Sequence, residues 1–154
     1  MTGTIESKLA ELGVTLPSPA APAANYVPYV VSGLHLYVSG QLPSDSEGLK
    51  FQGRCGETMS VEDGQKAARL CAINLLAQAK AATGDLERIA RLVKLTAFVN
   101  STADFGDQPK VVNGASDFMV EALGEKGRHA RSAVGVAALP FGVAVEIEAI
   151  FELA

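Results

Sequence analysis

The chain has 154 residues, of which 48% are hydrophobic and 19% are charged, and its formal net charge is −4. These values are typical of one compact domain and exclude intrinsic disorder as the state of most of the chain. The Lys and Arg residues form no run, so the basic stripe typical of a nucleic-acid-binding protein is missing from the sequence and no nucleic-acid partner is expected.

The N-terminal residues predict a short helix followed by a linker. Apolar residues recur at helical spacing over residues 4–12, and Gly13 ends the pattern. Residues 17–24 hold three prolines among small residues, which is typical of an extended arm. We therefore expect a helical extension over residues 1–16 and a single domain over residues 17–154.

The next two segments predict a β-hairpin and a surface loop. Residues 26–41 contain two apolar stretches separated by Ser32 and Gly33, which is a hairpin signal. Residues 42–57 are polar and rich in glycine, and they predict a surface loop with one short strand near Phe51.

The clearest helix begins at Ser60. This serine is a favoured N-cap residue, and Asp63 follows it at the position of the acid in a capping box. Apolar residues then recur with a period of 3.6 as far as Gly84, and Asn74 is the polar exception within that stripe.

The C-terminal half predicts a strand, a second helix and a final hairpin. Residues 92–99 alternate in polarity and predict an interior strand, residues 104–110 predict a turn, and residues 111–124 predict a less regular helix. Two apolar runs then flank residues 140–142, whose Pro-Phe-Gly sequence predicts the turn of a β-hairpin.

This order of elements predicts an α+β fold. Strand–strand–helix–strand–helix–strand–strand gives a mixed β-sheet with two long helices on one face. The other face of the sheet then needs a separate cover, and the small side chains that dominate the apolar set give each subunit little core volume. We therefore expect self-association.

The sequence contains no motif for a metal, a nucleotide or a membrane. Cys55 and Cys71 lack metal-ligand spacing and are expected to be free thiols. His35 and His129 have no recognised metal-site spacing, although His129 lies two residues from Arg131. Because no long apolar run and no secretory signal are present, we expect a cytoplasmic protein that does not contact a membrane.

The surroundings of Arg131 decide the function. It lies at the edge of the predicted final hairpin, where a guanidinium costs desolvation free energy unless an anion meets it. The predicted register places Arg131 opposite Ile150 and Glu146 opposite Gly135, so the two charges lie about 13 Å apart along the strands. Either a second subunit completes a pocket around a ligand, or Arg131 lies in solvent and pairs loosely with Glu125, a contact worth ~0–1 kcal/mol.

Three segments carry a recognisable pattern. They are YVSGQ at residues 37–41, KLTAFV at residues 94–99, and a C-terminal segment in which RS at 131–132 precedes LP at 139–140 and VEIEAI at 145–150. Together they resemble the RidA/YjgF family of small reactive-intermediate deaminases, also labelled L-PSP endoribonucleases. The resemblance covers residues 18–153 and implies a chorismate-mutase-like fold and a homotrimer with three clefts between subunits.

The resemblance implies roles for seven residues. Arg131 matches the arginine that holds a substrate carboxylate in a bidentate fork, and Glu146 matches the acid that positions a water for attack. The residues that match the substrate-binding positions are Tyr26, Ser39, Gly40, Asn113 and Ala133. Many members have a cysteine at the position of Ala133, and residues 107–109 look like an insertion, which together suggest a divergent branch.

The activity implied by the resemblance is the hydrolysis of short-lived enamines and imines, such as 2-aminoacrylate, to 2-oxo acids and ammonia. We therefore expect a hydrolase similar to 2-iminobutanoate/2-iminopropanoate deaminases, which takes a small carboxylate-bearing ligand in the cleft between subunits and needs no metal or organic cofactor. Two alternatives stay open. One is a trimer that binds small carboxylates without turnover, and the other, which the acidic charge disfavours, is an endoribonuclease or translation inhibitor.

Overall fold

The computed structural model describes residues 3–19 and 24–154, so residues 20–23 of the predicted linker lie outside the described residues. Within these ranges the helices are α1 (Thr4–Glu11), α2 (Val61–Thr83) and α3 (Gln108–Leu123). The strands are β1 (Tyr29–Ser32), β2 (His35–Gln41), β3 (Ser44–Asp45), β4 (Gly48–Leu49), β5 (Ile89–Asn100), β6 (Ala130–Val136) and β7 (Val145–Leu153).

Five strands form one mixed sheet in the order β1-β2-β7-β5-β6. β5 and β6 are parallel and are joined through α3, whereas the other neighbouring strands are antiparallel. β3 and β4 form a separate two-stranded hairpin. The α+β class, the mixed sheet and the hairpin of β1 and β2 are confirmed.

Side chains along the strands alternate between buried and accessible positions. In β7 the odd-numbered residues from Val145 to Leu153 are buried, and the even-numbered residues between them are half-buried or exposed. α2 contacts β7 and β2, and α3 contacts β6 and β5. The accessible positions form what we call the open face, which includes Val30, Tyr37, Phe98, Val134 and Glu146.

α2 begins and ends as the sequence predicts. The Ser60 hydroxyl accepts a hydrogen bond from the backbone N–H of Asp63 at 3.1 Å, and Gly84 ends the helix with a left-handed φ of 77°. A polar residue is accommodated at Asn74 within the apolar stripe, because its amide Nδ2 donates to the carbonyls of Leu42 and Ser44 at 2.9 and 3.0 Å. This side chain therefore fixes the loop after β2 against the helix.

α2 and α3 pack closely because glycines lie where the helices cross. A Cβ atom on Gly114 would collide with the backbone of Gln65, and a Cβ atom on Gly64 would lie 3.0 Å from Cγ1 of Val111. The guanidinium of Arg69 also lies 5.1 Å from the ring centroid of Phe118, a cation–π contact between the two helices.

The predicted C-terminal hairpin is wrong. β6 and β7 do not pair with each other, because β5 lies between them. Arg131 pairs with Leu95 rather than with Ile150, and Glu146 pairs with Phe98. Residues 140–142 form a short 3-10 turn within the connection that crosses from one side of β5 to the other. A turn signal between two apolar runs marks a reversal of the chain, but it does not show that the runs are neighbours.

Two smaller boundaries also differ from the prediction. The loop over residues 42–57 holds the pair β3 and β4, so the short strand predicted near Phe51 lies at Gly48–Leu49, two residues before it, and Phe51 itself has a φ of 53°. α3 begins at Gln108, three residues before the predicted start, because Pro109 is accepted in the first turn of a helix.

α1 packs onto the rest of the domain. Ile5 and Leu9 are buried, the backbone N–H of Ile5 donates to the Glu87 carboxylate at 2.9 Å, and Lys80 pairs with Glu6 at 2.8 Å. The division of the chain at residue 16 stays a prediction. Over the described ranges, each helix is too short or too polar to cross a membrane.

Candidate functional site

The structure places the seven residues matched to the family's site in two groups. The arginine group comprises Arg131, Asn113 and Ala133, on β6 and α3. The glutamate group comprises Glu146 on β7, Ser39 and Gly40 on β2, and Tyr26 just before β1.

Arg131 extends from β6 onto the side of α3. Its Nη1 donates to Oδ1 of Asn113 at 2.9 Å and to Oγ of Ser116 at 3.1 Å, and its Nη2 donates to the carbonyl of Pro109 at 3.3 Å. Ala133 lies two residues further along β6, pairs with Ala97 and is half-buried. The first turns of α3 therefore hold the guanidinium.

All three partners of Arg131 are neutral. Within the part of the chain that the structure describes, no carboxylate forms an ion pair with Arg131. Glu125, the partner in the alternative interpretation, instead accepts from Nε of Arg128 at 3.1 Å. That alternative is wrong, because Glu125 lies only three residues before Arg128 and pairs with it instead. The positive charge of Arg131 is therefore not compensated by a carboxylate of the described residues.

Sequence reasoning missed Ser116. It follows Asn113 by three residues on α3, and this spacing places both side chains on the same side of a helix. Its Oγ also lies 2.9 Å from Nε2 of His129, whose Nδ1 lies 2.6 Å from the carbonyl of Gly127. The spacing was the available signal, but it becomes informative only when Arg131 is known to face α3.

A β-bulge shapes the glutamate group. Val38 pairs with Ala149 and Gln41 pairs with Ile147, so β2 carries one more residue than β7 over this stretch. Gly40 lies in the bulge, and a Cβ atom there would collide with the carboxylate of Glu146. The absence of a side chain at residue 40 therefore leaves the room that the carboxylate occupies.

An open cleft of about 490 Å³ lies beside the bulge. Tyr26, Ser39 and Gly40 line it, together with Asn74 and Gln78 of α2. The hydroxyl of Ser39 donates to the carbonyl of Val27 at 3.0 Å and so ties β2 to the segment that carries Tyr26. Among the described residues that line the cleft, none carries a positive charge that could meet a carboxylate.

The environment of Glu146 favours its protonated form. Burial of the carboxyl group raises its pKa, and the nearby negative charge of Glu148 raises it further. A raised pKa makes the carboxylate a stronger base than an ordinary glutamate, which favours a role in proton transfer.

The two groups lie on opposite sides of the sheet within one protomer. Arg131 is level with the buried Leu95, whereas Glu146 is level with Phe98 on the open face. Their strands are also separated by β5, a lateral distance of about 10 Å at the usual strand spacing. One small ligand therefore cannot contact both side chains of the same protomer in this arrangement.

The described residues offer neither a metal site nor a reactive thiol. Within residues 3–19 and 24–154, no group of three or more His, Cys, Asp or Glu residues could hold a metal ion. Cys55 and Cys71 are buried free thiols. Burial raises the pKa of both, and the charge of Glu146 further raises that of Cys71, so both remain protonated and weakly nucleophilic.

Comparison with known proteins gives a consistent family. Residues 6–152 match the family described as "YjgF/chorismate_mutase-like, putative endoribonuclease". Protein TCP17 of Trypanosoma cruzi is 52% identical over 153 residues, which cover 99% of this chain and 96% of that protein.

Solved structures agree. The protein Atu1372 of Agrobacterium tumefaciens, described as having unknown function, is 52% identical with a TM-score of 0.92 and covers 98% of this chain and 93% of its own. Escherichia coli TdcF, solved with bound serine, is 29% identical with a TM-score of 0.64 and covers 89% and 94% of the two chains. The extent of these matches shows that the chain belongs to the RidA/YjgF family.

Proposed function

We propose that this protein is an enamine/imine deaminase, which hydrolyses amino-acid-derived intermediates of the 2-aminoacrylate type to 2-oxo acids and ammonia. The observation that carries the proposal is the state of Arg131, whose guanidinium is held by three neutral acceptors and by no carboxylate of the described residues. A fixed, uncompensated guanidinium is suited to a small carboxylate, which it can bind in a bidentate geometry.

The proposal includes a homotrimer with chorismate-mutase-like subunits, in which both long helices lie on one face of each sheet. The arginine group of one subunit would then meet the glutamate group of its neighbour across a cleft. The separation of Arg131 and Glu146 by β5 supports this arrangement, because a single protomer does not bring them together. The bound serine in TdcF shows that a relative accepts a small amino acid. A cytoplasmic location is part of the same proposal.

The chemistry follows from the groups that are present. An enamine first tautomerises to its imine, whose carbon is electrophilic. Glu146 takes a proton from water as the oxygen adds to that carbon, and the C=N electron pair moves to nitrogen, which is protonated. The C–N bond of the resulting carbinolamine then breaks, ammonia leaves, and loss of the hydroxyl proton gives the 2-oxo acid. Orientation of the water and the substrate supplies much of the rate.

The test is the substitution Arg131→Ala. We expect the loss of turnover of 2-aminoacrylate generated in situ, and roughly ten- to hundredfold weaker binding of a 2-oxo acid, from the about 1.5–3 kcal/mol of hydrogen bonds to a charged group. Arg128→Ala is the matched control, since Arg128 is exposed and pairs with Glu125. Unchanged turnover in Arg131→Ala removes the proposal.

A second substitution separates the enzyme from a trimer that only binds carboxylates. If Glu146 exchanges the proton of the attacking water, Glu146→Gln loses turnover and still binds a 2-oxo acid. A wild-type protein that binds 2-oxo acids and shows no turnover would instead be the binding module. RNA cleavage by the purified protein, abolished by neither substitution, would assign it to the nuclease alternative.

A further inference from the structure

The hydrogen bonds of Arg131 continue beyond its direct partners. Nη1 of Arg131 donates to Oγ of Ser116 at 3.1 Å, Oγ of Ser116 lies 2.9 Å from Nε2 of His129, and Nδ1 of His129 lies 2.6 Å from the carbonyl of Gly127. Ser116 and His129 are both half-buried. The four residues form a linear chain that runs from the guanidinium through α3 to the segment before β6.

The chemistry of the groups fixes the direction of each hydrogen bond. The carbonyl of Gly127 only accepts, so Nδ1 of His129 carries a hydrogen, and in the tautomer with its single hydrogen on Nδ1 the lone pair of Nε2 faces Ser116. A guanidinium only donates, so Oγ of Ser116 accepts from Arg131 and directs its single hydrogen to Nε2. Each donor along the chain then has an acceptor, in one consistent arrangement.

The number of hydrogen bonds that the guanidinium donates shows which of its edges stays available to a ligand. Nη1 has two N–H groups and serves two acceptors, Asn113 and Ser116, and one N–H group of Nη2 serves Pro109. Among the described residues, Nε of Arg131 has no hydrogen-bond partner. The end of the guanidinium that carries Nη1 is therefore taken, and a carboxylate would approach from the side formed by Nε and Nη2.

We propose that Ser116 and His129 are positioning residues that hold Nη1 of Arg131, so that Nε and Nη2 are presented to the substrate carboxylate. The inference rests on the proposed function, because it assigns Arg131 to a carboxylate. Ser116 contacts the guanidinium directly, and His129 acts through Ser116 by accepting its hydroxyl hydrogen. Holding a long side chain in its binding rotamer before the ligand arrives lowers the entropic cost of binding.

The test uses two pairs of substitutions. Ser116→Ala removes the hydroxyl, whereas Ser116→Thr keeps one. His129→Asn keeps an N–H donor for Gly127 but loses the acceptor for Ser116, whereas His129→Gln carries an amide oxygen that can reach Ser116. Ser7→Ala, at an exposed serine of α1, is the matched control.

The readouts are the Kd for 2-oxobutanoate by calorimetry, and KM and kcat for an imine substrate. We expect Ser116→Ala and His129→Asn each to raise Kd and KM roughly three- to tenfold, as for the loss of one hydrogen bond, with kcat kept within about twofold. Ser116→Thr and His129→Gln restore most of the affinity. The double variant Ser116→Ala/His129→Asn should bind 2-oxobutanoate no more weakly than Ser116→Ala alone, because His129 acts through the hydroxyl of Ser116.

Several outcomes overturn the inference. Wild-type affinity in Ser116→Ala, or a double variant whose loss is the sum of the single losses, removes it while leaving the proposed function in place if Arg131→Ala still abolishes binding. Labelling of Ser116 by a fluorophosphonate would make it a nucleophile with His129 as its base, a different role for the same contact. Unchanged binding in Arg131→Ala, or no binding of 2-oxobutanoate to the wild-type protein, overturns the proposed function and the inference together.

Discussion

At the residue scale, Glu146 and Arg131 are each charged groups that form no ion pair with the described residues of their own protomer. Burial and the charge of Glu148 raise the pKa of Glu146, and Arg131 has only neutral partners among the described residues. The two residues therefore have complementary requirements, although they lie on opposite sides of the same sheet. An anion from outside would compensate the charge of Arg131, and a proton would neutralise Glu146.

The raised pKa of Glu146 predicts a pH dependence of the free energy of unfolding. The folded protein binds this proton more tightly than the unfolded chain, so the stability is greatest below the ordinary carboxyl pKa and falls as the pH rises through the raised pKa. We expect Glu146→Gln to match the wild type at acidic pH and to be more stable at neutral pH, by chemical denaturation without ligand. Glu121→Gln, exposed on α3, controls for the loss of one negative charge. A variant less stable than the wild type at neutral pH would show that a cation meets Glu146 in the assembled protein.

At the scale of elements, the contact between α2 and α3 positions the arginine group. The partners of Arg131 are all on α3, and α3 is held against α2 through Gly64 and Gly114. A shift of α3 away from α2 would therefore move Asn113 and Ser116 relative to β6.

The helix crossing gives a prediction for stability. Gly114→Ala places a methyl group against the backbone of Gln65, and we expect it to lower the free energy of unfolding by about 1–3 kcal/mol, as for other overpacked contacts. Gly106→Ala is the matched control, because a Cβ atom there meets nothing within 4 Å. Urea denaturation of the two variants measures the difference, and equal stabilities would contradict the close approach of the helices.

At the scale of the whole molecule, the open face leaves large apolar side chains accessible. Val30, Tyr37 and Val134 are 50%, 46% and 45% exposed in the protomer, and Phe98 and Ile150 lie between them. Contiguous apolar surface of this kind marks an interface, and the proposed trimer would cover it.

A charge on the open face is expected to separate the subunits. Val134→Glu would bury a carboxylate on the open face in an assembly, so the mass by light scattering should fall from three times the 16.0 kDa protomer mass to that of one protomer. Ala81→Glu, at an exposed position of α2, is the control and should keep the wild-type mass. A wild-type mass of 16.0 kDa would remove the trimer from the proposal.

Local patterns predicted the elements well. The cap at Ser60, the left-handed stop at Gly84 and the strand that became β5 depend on neighbouring residues, and all three are confirmed. The start of α3 at Gln108 and the pairing of β3 with β4 were missed, because a helix accepts proline in its first turn and a two-residue strand leaves almost no periodic signal.

The sequence by itself determined the class of fold, the order of the elements and the family, since these depend on local periodicity and on motifs that are contiguous in the chain. Only the tertiary structure decided that β5 separates β6 from β7, and that Arg131 faces α3 while Glu146 faces the open side. The physical reason is that strand pairing joins residues far apart in sequence, and the alternation along a strand sets the side to which each residue points once its partner is known. Ser116 entered the site for the same reason, because its contact with Arg131 exists only after α3 has packed beside β6.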